Sequence, residues 1–170
     1  MLSETQHSGW GIALRVPVLY GQAVSSKESA INVLLDAVHK AQQAGAKVNM
    51  DDWALRYPTN TEDVGRVCVD IAKKYLSADD KTALPRVLQF SSEDKYTKFQ
   101  VCVVFAEILG VTLEEMVPNK VGNDPRASVQ RPYDTHLSTR ALKDLGIDVW
   151  TQNFASWWYV LHSCSHSYIH

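Results

Sequence analysis

The run Ile12–Tyr20, IALRVPVLY, constrains the fold of this chain more than any other stretch. It is nearly continuously apolar and carries β-branched residues, the pattern of a strand buried on both faces of a parallel sheet. Pro17 lies inside it. Proline donates nothing to a sheet ladder, so it marks a strand end, an edge or a bulge. Gly21 then closes the run.

Helical periods follow. Ser25 and Glu28 have capping-box spacing, and Ile31, Leu34, Leu35 and Val38 fall at i, i+3, i+4 and i+7, which predicts an amphipathic helix stopped near Gly45. Lys47–Met50 reads as a short strand. Asp51–Pro58 reads as loop, because proline disfavours helix at the residue before it. Thr59 and Glu62 form a second capping box ahead of a stripe of Val64, Val67, Ile71 and Tyr75. Leu84–Phe90 is a strand candidate. Thr97 and Gln100 open an unusually apolar helix that ends at Leu109 with Gly110 behind it. Its apolar residues wrap around the cylinder, which predicts burial against two layers. Val111–Arg131 reads as loop with one short strand at Met116–Val117. Ser138 is placed to cap a short helix ending at Gly146, and Phe154, Trp157, Trp158 and Leu161 define a C-terminal amphipathic helix. Trp157 and Trp158 are both expected to bury much of their surface. From His162 onward no periodicity continues, so residues 162–170 are expected to be disordered and residues 1–9 to form a leader.

At 170 residues the chain has the length of one domain of ordinary size. The formal charge of −2, with no Lys/Arg run, lacks the basic face of a phosphate-tracking nucleic-acid binder. No apolar run approaches the ~20 residues that span a bilayer, and the first residues do not resemble a signal peptide. Three widely spaced cysteines, Cys68, Cys102 and Cys164, suit a reducing, cytoplasmic compartment. Cys68 and Cys102 lie in helical apolar patterns and are expected to be buried. His162, Cys164, His166 and His170 have ligand chemistry that zinc accepts, but they lack the framed turn or helix of a structural site. No metal is assigned.

Four segments in order carry a resemblance: LRVPVLYG (Leu14–Gly21), NMDDWALRYPTNTEDVGRVC (Asn49–Cys68), LQFSSEDKYTKFQVC (Leu88–Cys102) and QRPYDTHLST (Gln130–Thr139). They are similar to the C-terminal half of extended short-chain dehydrogenases/reductases of the dTDP-4-dehydrorhamnose reductase-like (RmlD-like substrate-binding) group. Within that group they most resemble the regulatory beta subunits of methionine adenosyltransferase. The resemblance implies an α/β fold over residues 10–161: a partial Rossmann-like parallel sheet, C-terminal strands only, with a small substrate-binding lobe. Leu14–Gly21 would be the sixth strand, with Pro17 and Leu19 beside the nicotinamide of NADP in complete relatives. Residues 25–50 and 111–139 would build the lobe. Arg56 and Arg131 would face an anionic or nucleotide-like substrate, a guanidinium presenting a fixed fork of donors.

Two departures bear on activity. A dinucleotide site needs a Gly-rich turn between strand and helix, and the sequence contains neither GxGxxG nor GxxGxxG. The group's chemistry needs a tyrosine acid/base with a lysine four residues on, and none of the seven tyrosines has one. Hydride transfer by this chain alone is therefore not expected, nor is tight binding of a cofactor. Three functions remain. One is a regulatory or interaction protein that binds a methionine adenosyltransferase catalytic subunit or self-associates through the Leu14–Tyr20 edge. Another is a truncated reductase-like protein without independent activity. The last is a repurposed, cofactor-independent cyclase or isomerase.

Overall fold

The computed structural model describes residues 11–123, 126, 128 and 130–166. The apolar run becomes two strands, β1 (Ala13–Arg15) and β2 (Leu19–Tyr20). The break falls at Val16–Val18, around Pro17. Burial is lower than expected: Ile12, Leu14 and Val16–Leu19 are half-buried, and Tyr20 alone is fully buried. The reason is pairing on one side. β1 runs parallel to β5 (Val87–Gln89), with Leu14 opposite Leu88, and has no second strand neighbour among the described residues.

Two more parallel ladders complete the sheet structure. β2 pairs with β4 (Thr59–Asn60), and β3 (Val48–Asp51) pairs with β6 (Met116–Asn119). Pro118 is tolerated in β6 because the ladder takes the Val48 amide to Glu115 and the Asp52 amide to Asn119. That alternation turns the position of its missing N–H to the open side.

The helices are α1 (Leu34–Lys40), α2 (Thr61–Leu76), α3 (Lys98–Leu109), α4 (Arg140–Asp144) and α5 (Phe154–His166). Their starts correct two expectations and refine a third. After Ser25 comes a 3-10 turn, Ser26–Glu28, and Ser29 Oγ then accepts the Ile31 and Asn32 amides before α1 begins. At α2 the cap is Asn60, whose side chain accepts the Glu62 amide at 2.8 Å. Thr59 is in β4, its hydroxyl committed to Tyr57 O and to the Ser92 amide. At α4 the cap position is Thr139, which makes no side-chain bond, and Ser138 Oγ, one residue ahead, accepts the Arg140 amide at 3.4 Å. The Thr97–Gln100 box is formed reciprocally, and Gly110 closes α3 with φ 65°. α5 continues through His162 and Cys164 to His166, into the segment expected to be disordered. The rest of that segment lies outside the described residues.

Two apolar clusters hold these pieces. The larger joins Tyr20, Val38, Met50, Phe105, Phe154 and Trp158, so that α3 is packed against α1, α5 and β3 as its all-round apolarity predicts. The smaller joins Val67, Ile71 and Tyr75 of α2 to Leu88, Phe90 and Leu142, with Ile12, Leu14 and Val16 at its margin. Cys102 is buried, but Cys68 is exposed, which corrects the expectation for that thiol. No described helix is long and apolar enough to cross a membrane.

Candidate functional site

The segment after β3 is stitched between two others. Asp51 Oδ1 accepts the Trp53 and Ala54 amides, turning the chain, and Thr97 Oγ1 donates to Asp52 Oδ1 at 2.8 Å. Arg56 and Tyr96 exchange backbone hydrogen bonds at 2.8 and 3.0 Å. On the other side the Leu55 amide donates to Tyr133 O at 2.7 Å, and Thr135 Oγ1 donates to Leu55 O. The RPYDTH stretch is thereby laid along WALRY.

That placement gathers a polar group. Tyr57 Oη donates to Asp134 Oδ2 at 3.3 Å, and its ring meets His136 edge-on at 4.6 Å. His136 Nε2 lies 3.0 Å from Glu93 Oε2 in the loop after β5. Burial, then the Asp134 carboxylate, pushes the Tyr57 hydroxyl above its ordinary range. Beside this group Trp53 and Tyr133 pack at 5.1 Å, and Tyr133 is half exposed. Gly122 backs the indole so closely that a Cβ there would sit 2.9 Å from Trp53 Cε2. Such a platform can stack a planar group. Among the described residues no set of three metal-binding side chains converges here or elsewhere.

The four residues singled out by sequence fall in different settings. Arg56 is buried, its guanidinium donating to Leu55 O at 2.8 Å. Arg131, two residues before Tyr133 in sequence, is exposed, and its backbone is tied to Asn123. Among the described residues no hydrogen bond or ion pair joins the two arginines. Leu19 pairs with Thr59, and its carbonyl accepts Ser29 Oγ at 2.7 Å. Pro17 sits half-buried at the strand break. Tyr57, Glu93, His136, Trp53 and Tyr133 were not singled out. Their aromatic and acid–base types inside three of the quoted segments were the available signal.

Small parallel ladders joined by helices make a mixed α/β arrangement like that of the extended short-chain dehydrogenase/reductase fold. The chain belongs to the RmlD substrate binding domain family, whose model matches residues 5–164. It is similar to methionine adenosyltransferase 2 subunit beta of Xenopus tropicalis, at 30% identity over 142 residues, covering 83% of this chain and 40% of that protein. The subunit of the same name from Rattus norvegicus is 31% identical over 134 residues, covering 79% and 38%. The chain thus spans about two fifths of the length of these relatives. Among solved structures, a dTDP-4-dehydrorhamnose reductase from Clostridium acetobutylicum superposes with a TM-score of 0.64 at 12% identity, covering 90% of this chain and 48% of that one. A UDP-glucose 4-epimerase from Thermus thermophilus, in complex with NAD, gives 0.59 at 14% identity, covering 93% and 47%. These two likenesses establish the fold.

Proposed function

We propose that this chain is a non-catalytic regulatory or interaction protein that works as the methionine adenosyltransferase beta subunits do, by associating with a catalytic subunit of that enzyme. The observation that carries the reading is the similarity to subunits of that name over about four fifths of the chain. Two sequence facts support the non-catalytic part: no Gly-rich dinucleotide loop and no tyrosine–lysine pair of the required spacing are present. The platform of Trp53 and Tyr133, with Arg131 two residues before Tyr133 in sequence, serves in this reading to hold an anionic or nucleotide-like ligand, guanidinium meeting the anion and the rings its flat face. Arg56, spent on Leu55 O, holds the segment in shape.

The test is titration of a purified methionine adenosyltransferase catalytic subunit with this chain. Sedimentation should show a stoichiometric complex, and the catalytic subunit's kinetics should change on its formation. Absence of a complex at tens of micromolar, about the weak end of specific association, would overturn the reading.

A further inference from the structure

α1, α3 and α5 leave a groove of about 200 Å³ between them. Its apolar lining includes Phe105 and Ile108 of α3 and Leu161 of α5, and two imidazoles stand in its wall, His39 from α1 and His162 from α5. His39 is the last residue but one of α1, Ile108 the last but one of α3, and His162 lies about one turn before the end of α5. The carbonyl ends of helices favour a cation, and three of them converge here. No described carboxylate or ammonium lines the groove. Trp158 lies in the same wall, 7% exposed, and its buried indole N–H meets no acceptor among the described residues. A buried donor left in that way points to a bound water or ion.

In the sequence His162 and His166 lack a frame; α5 supplies it, because the helix continues to His166. Positions four apart on a helix share one face, a turn from each other, and this is the spacing at which two helical histidines grip one metal ion. Cys164 falls between them on another side of the helix and is exposed. We propose that His39 and His162, with His166 as third ligand by its register, bind a divalent cation of the zinc type at the mouth of this groove. Neutral imidazole suits such ions, whereas Ca²⁺ and Mg²⁺ need oxygen ligands that the groove does not offer. Each histidine turns about two side-chain bonds, so rings on facing helices can close on one ion at the ~2.0–2.1 Å of a Zn–N bond. Three imidazoles leave the fourth tetrahedral position to water, an acceptor of the kind the Trp158 N–H lacks. The ion ties α1 to α5 across α3, on which both pack.

The test is calorimetric titration of the 170-residue chain with Zn²⁺, with Co²⁺ as a spectroscopic stand-in whose visible bands report tetrahedral coordination. One equivalent is expected to bind. His39 is exposed, so His39→Ala should keep the parent's circular dichroism. That variant and His166→Ala should each weaken binding at least about tenfold, since loss of a group that merely orients a ligand already costs about that much. Cys164→Ser, His136→Ala and His170→Ala should bind as the parent does. Absence of binding at tens of micromolar Zn²⁺, about the weak end of specific association, overturns the proposal. So does binding indifferent to His39→Ala, which is chelation by the C-terminal residues alone, or a Co²⁺–thiolate band that Cys164→Ser removes. No residue of the Trp53–Tyr133 platform takes part, so the regulatory reading stands whichever way the titration falls.

Discussion

The Asp94 carboxylate accepts the Phe154 amide at 2.7 Å, fastening the first turn of α5 to the loop that follows β5. Asn153 Nδ2 donates to the same Oδ2, and Asn153 Oδ1 accepts the Ser156 amide at 3.0 Å, so the helix start is held from both sides. This anchor sets Phe154 and Trp158 into the larger cluster. Asp94→Ala is expected to lower stability by about 2 kcal/mol, the range for charge-assisted hydrogen bonds. Urea denaturation reads the difference, and an unchanged midpoint would mean that packing alone holds α5.

The two adjacent tryptophans should differ. Trp158 is 7% exposed and packs against Phe105 and Trp157, whereas Trp157 is half-buried at the margin of the cluster. Trp158→Ala should cost about 3–5 kcal/mol and Trp157→Ala clearly less, because only the first leaves a closed cavity. Equal losses by denaturant unfolding would contradict this ranking.

Acid behaviour should be governed in part by Asp63. It is buried at the start of α2, where its Oδ2 accepts the Gln152 amide at 2.9 Å. Burial outweighs that bond and the Arg66 charge, and the carboxyl is held above its ordinary range. The folded state therefore binds this proton more tightly than the unfolded state does. Asp63's contribution is greatest at low pH and is lost as pH rises from the unfolded to the raised folded value. Asp63→Asn, which keeps an acceptor for Gln152, should remove that dependence and be at least as stable as the parent at neutral pH. A variant markedly weaker at pH 7 than at pH 4 relative to its parent would reverse the sign.

Thiol reactivity should divide the three cysteines. Burial pushes the Cys102 thiol up to about 12, while Cys68 and Cys164 are exposed. The thiolate is the reacting form, so a maleimide should label two sites quickly and the third only on unfolding. Mass spectrometry of peptides after a short pulse identifies the sites, and early label on Cys102 would place it outside the core.

Cofactor binding should be weak. NADP contacts in a fold of this kind come chiefly from a Gly-rich turn at a helix start, which the sequence lacks. Calorimetric titration of the chain should show no heat of tight association. A dissociation constant in the low micromolar range or below would demand a phosphate cradle of another design.

How much of this was legible varies by element. The α3 boundaries were readable because the Thr97–Gln100 box and Gly110 agree with an apolar run of the right length. The same spacing misled at Thr59–Glu62. Asn60, one residue on, holds extended backbone and offers its oxygen to the Glu62 amide, while Thr59 is drawn into the β2–β4 ladder. Cys68 was misplaced although the stripe of Val64, Val67, Ile71 and Tyr75 already leaves position 68 on a flank. The contact between Trp53 and Tyr133, and that between Tyr57 and His136, joins segments far apart in the chain. Neither has a local signature, so periodicity could not disclose the site they form.

The three ladders have a consequence for how the chain reaches its structure. Each joins distant segments: Ala13 with Val87, Leu19 with Thr59, Val48 with Met116. No described ladder is a hairpin that could close early. Loop closure has to be met before such pairings are rewarded, so folding should be slow, with α2 and α3 forming ahead of the strands they serve. During that interval IALRVPVLY is an unpaired apolar strand. Its association with other chains will compete with folding in proportion to concentration, and dilute refolding should recover more native protein than concentrated refolding does.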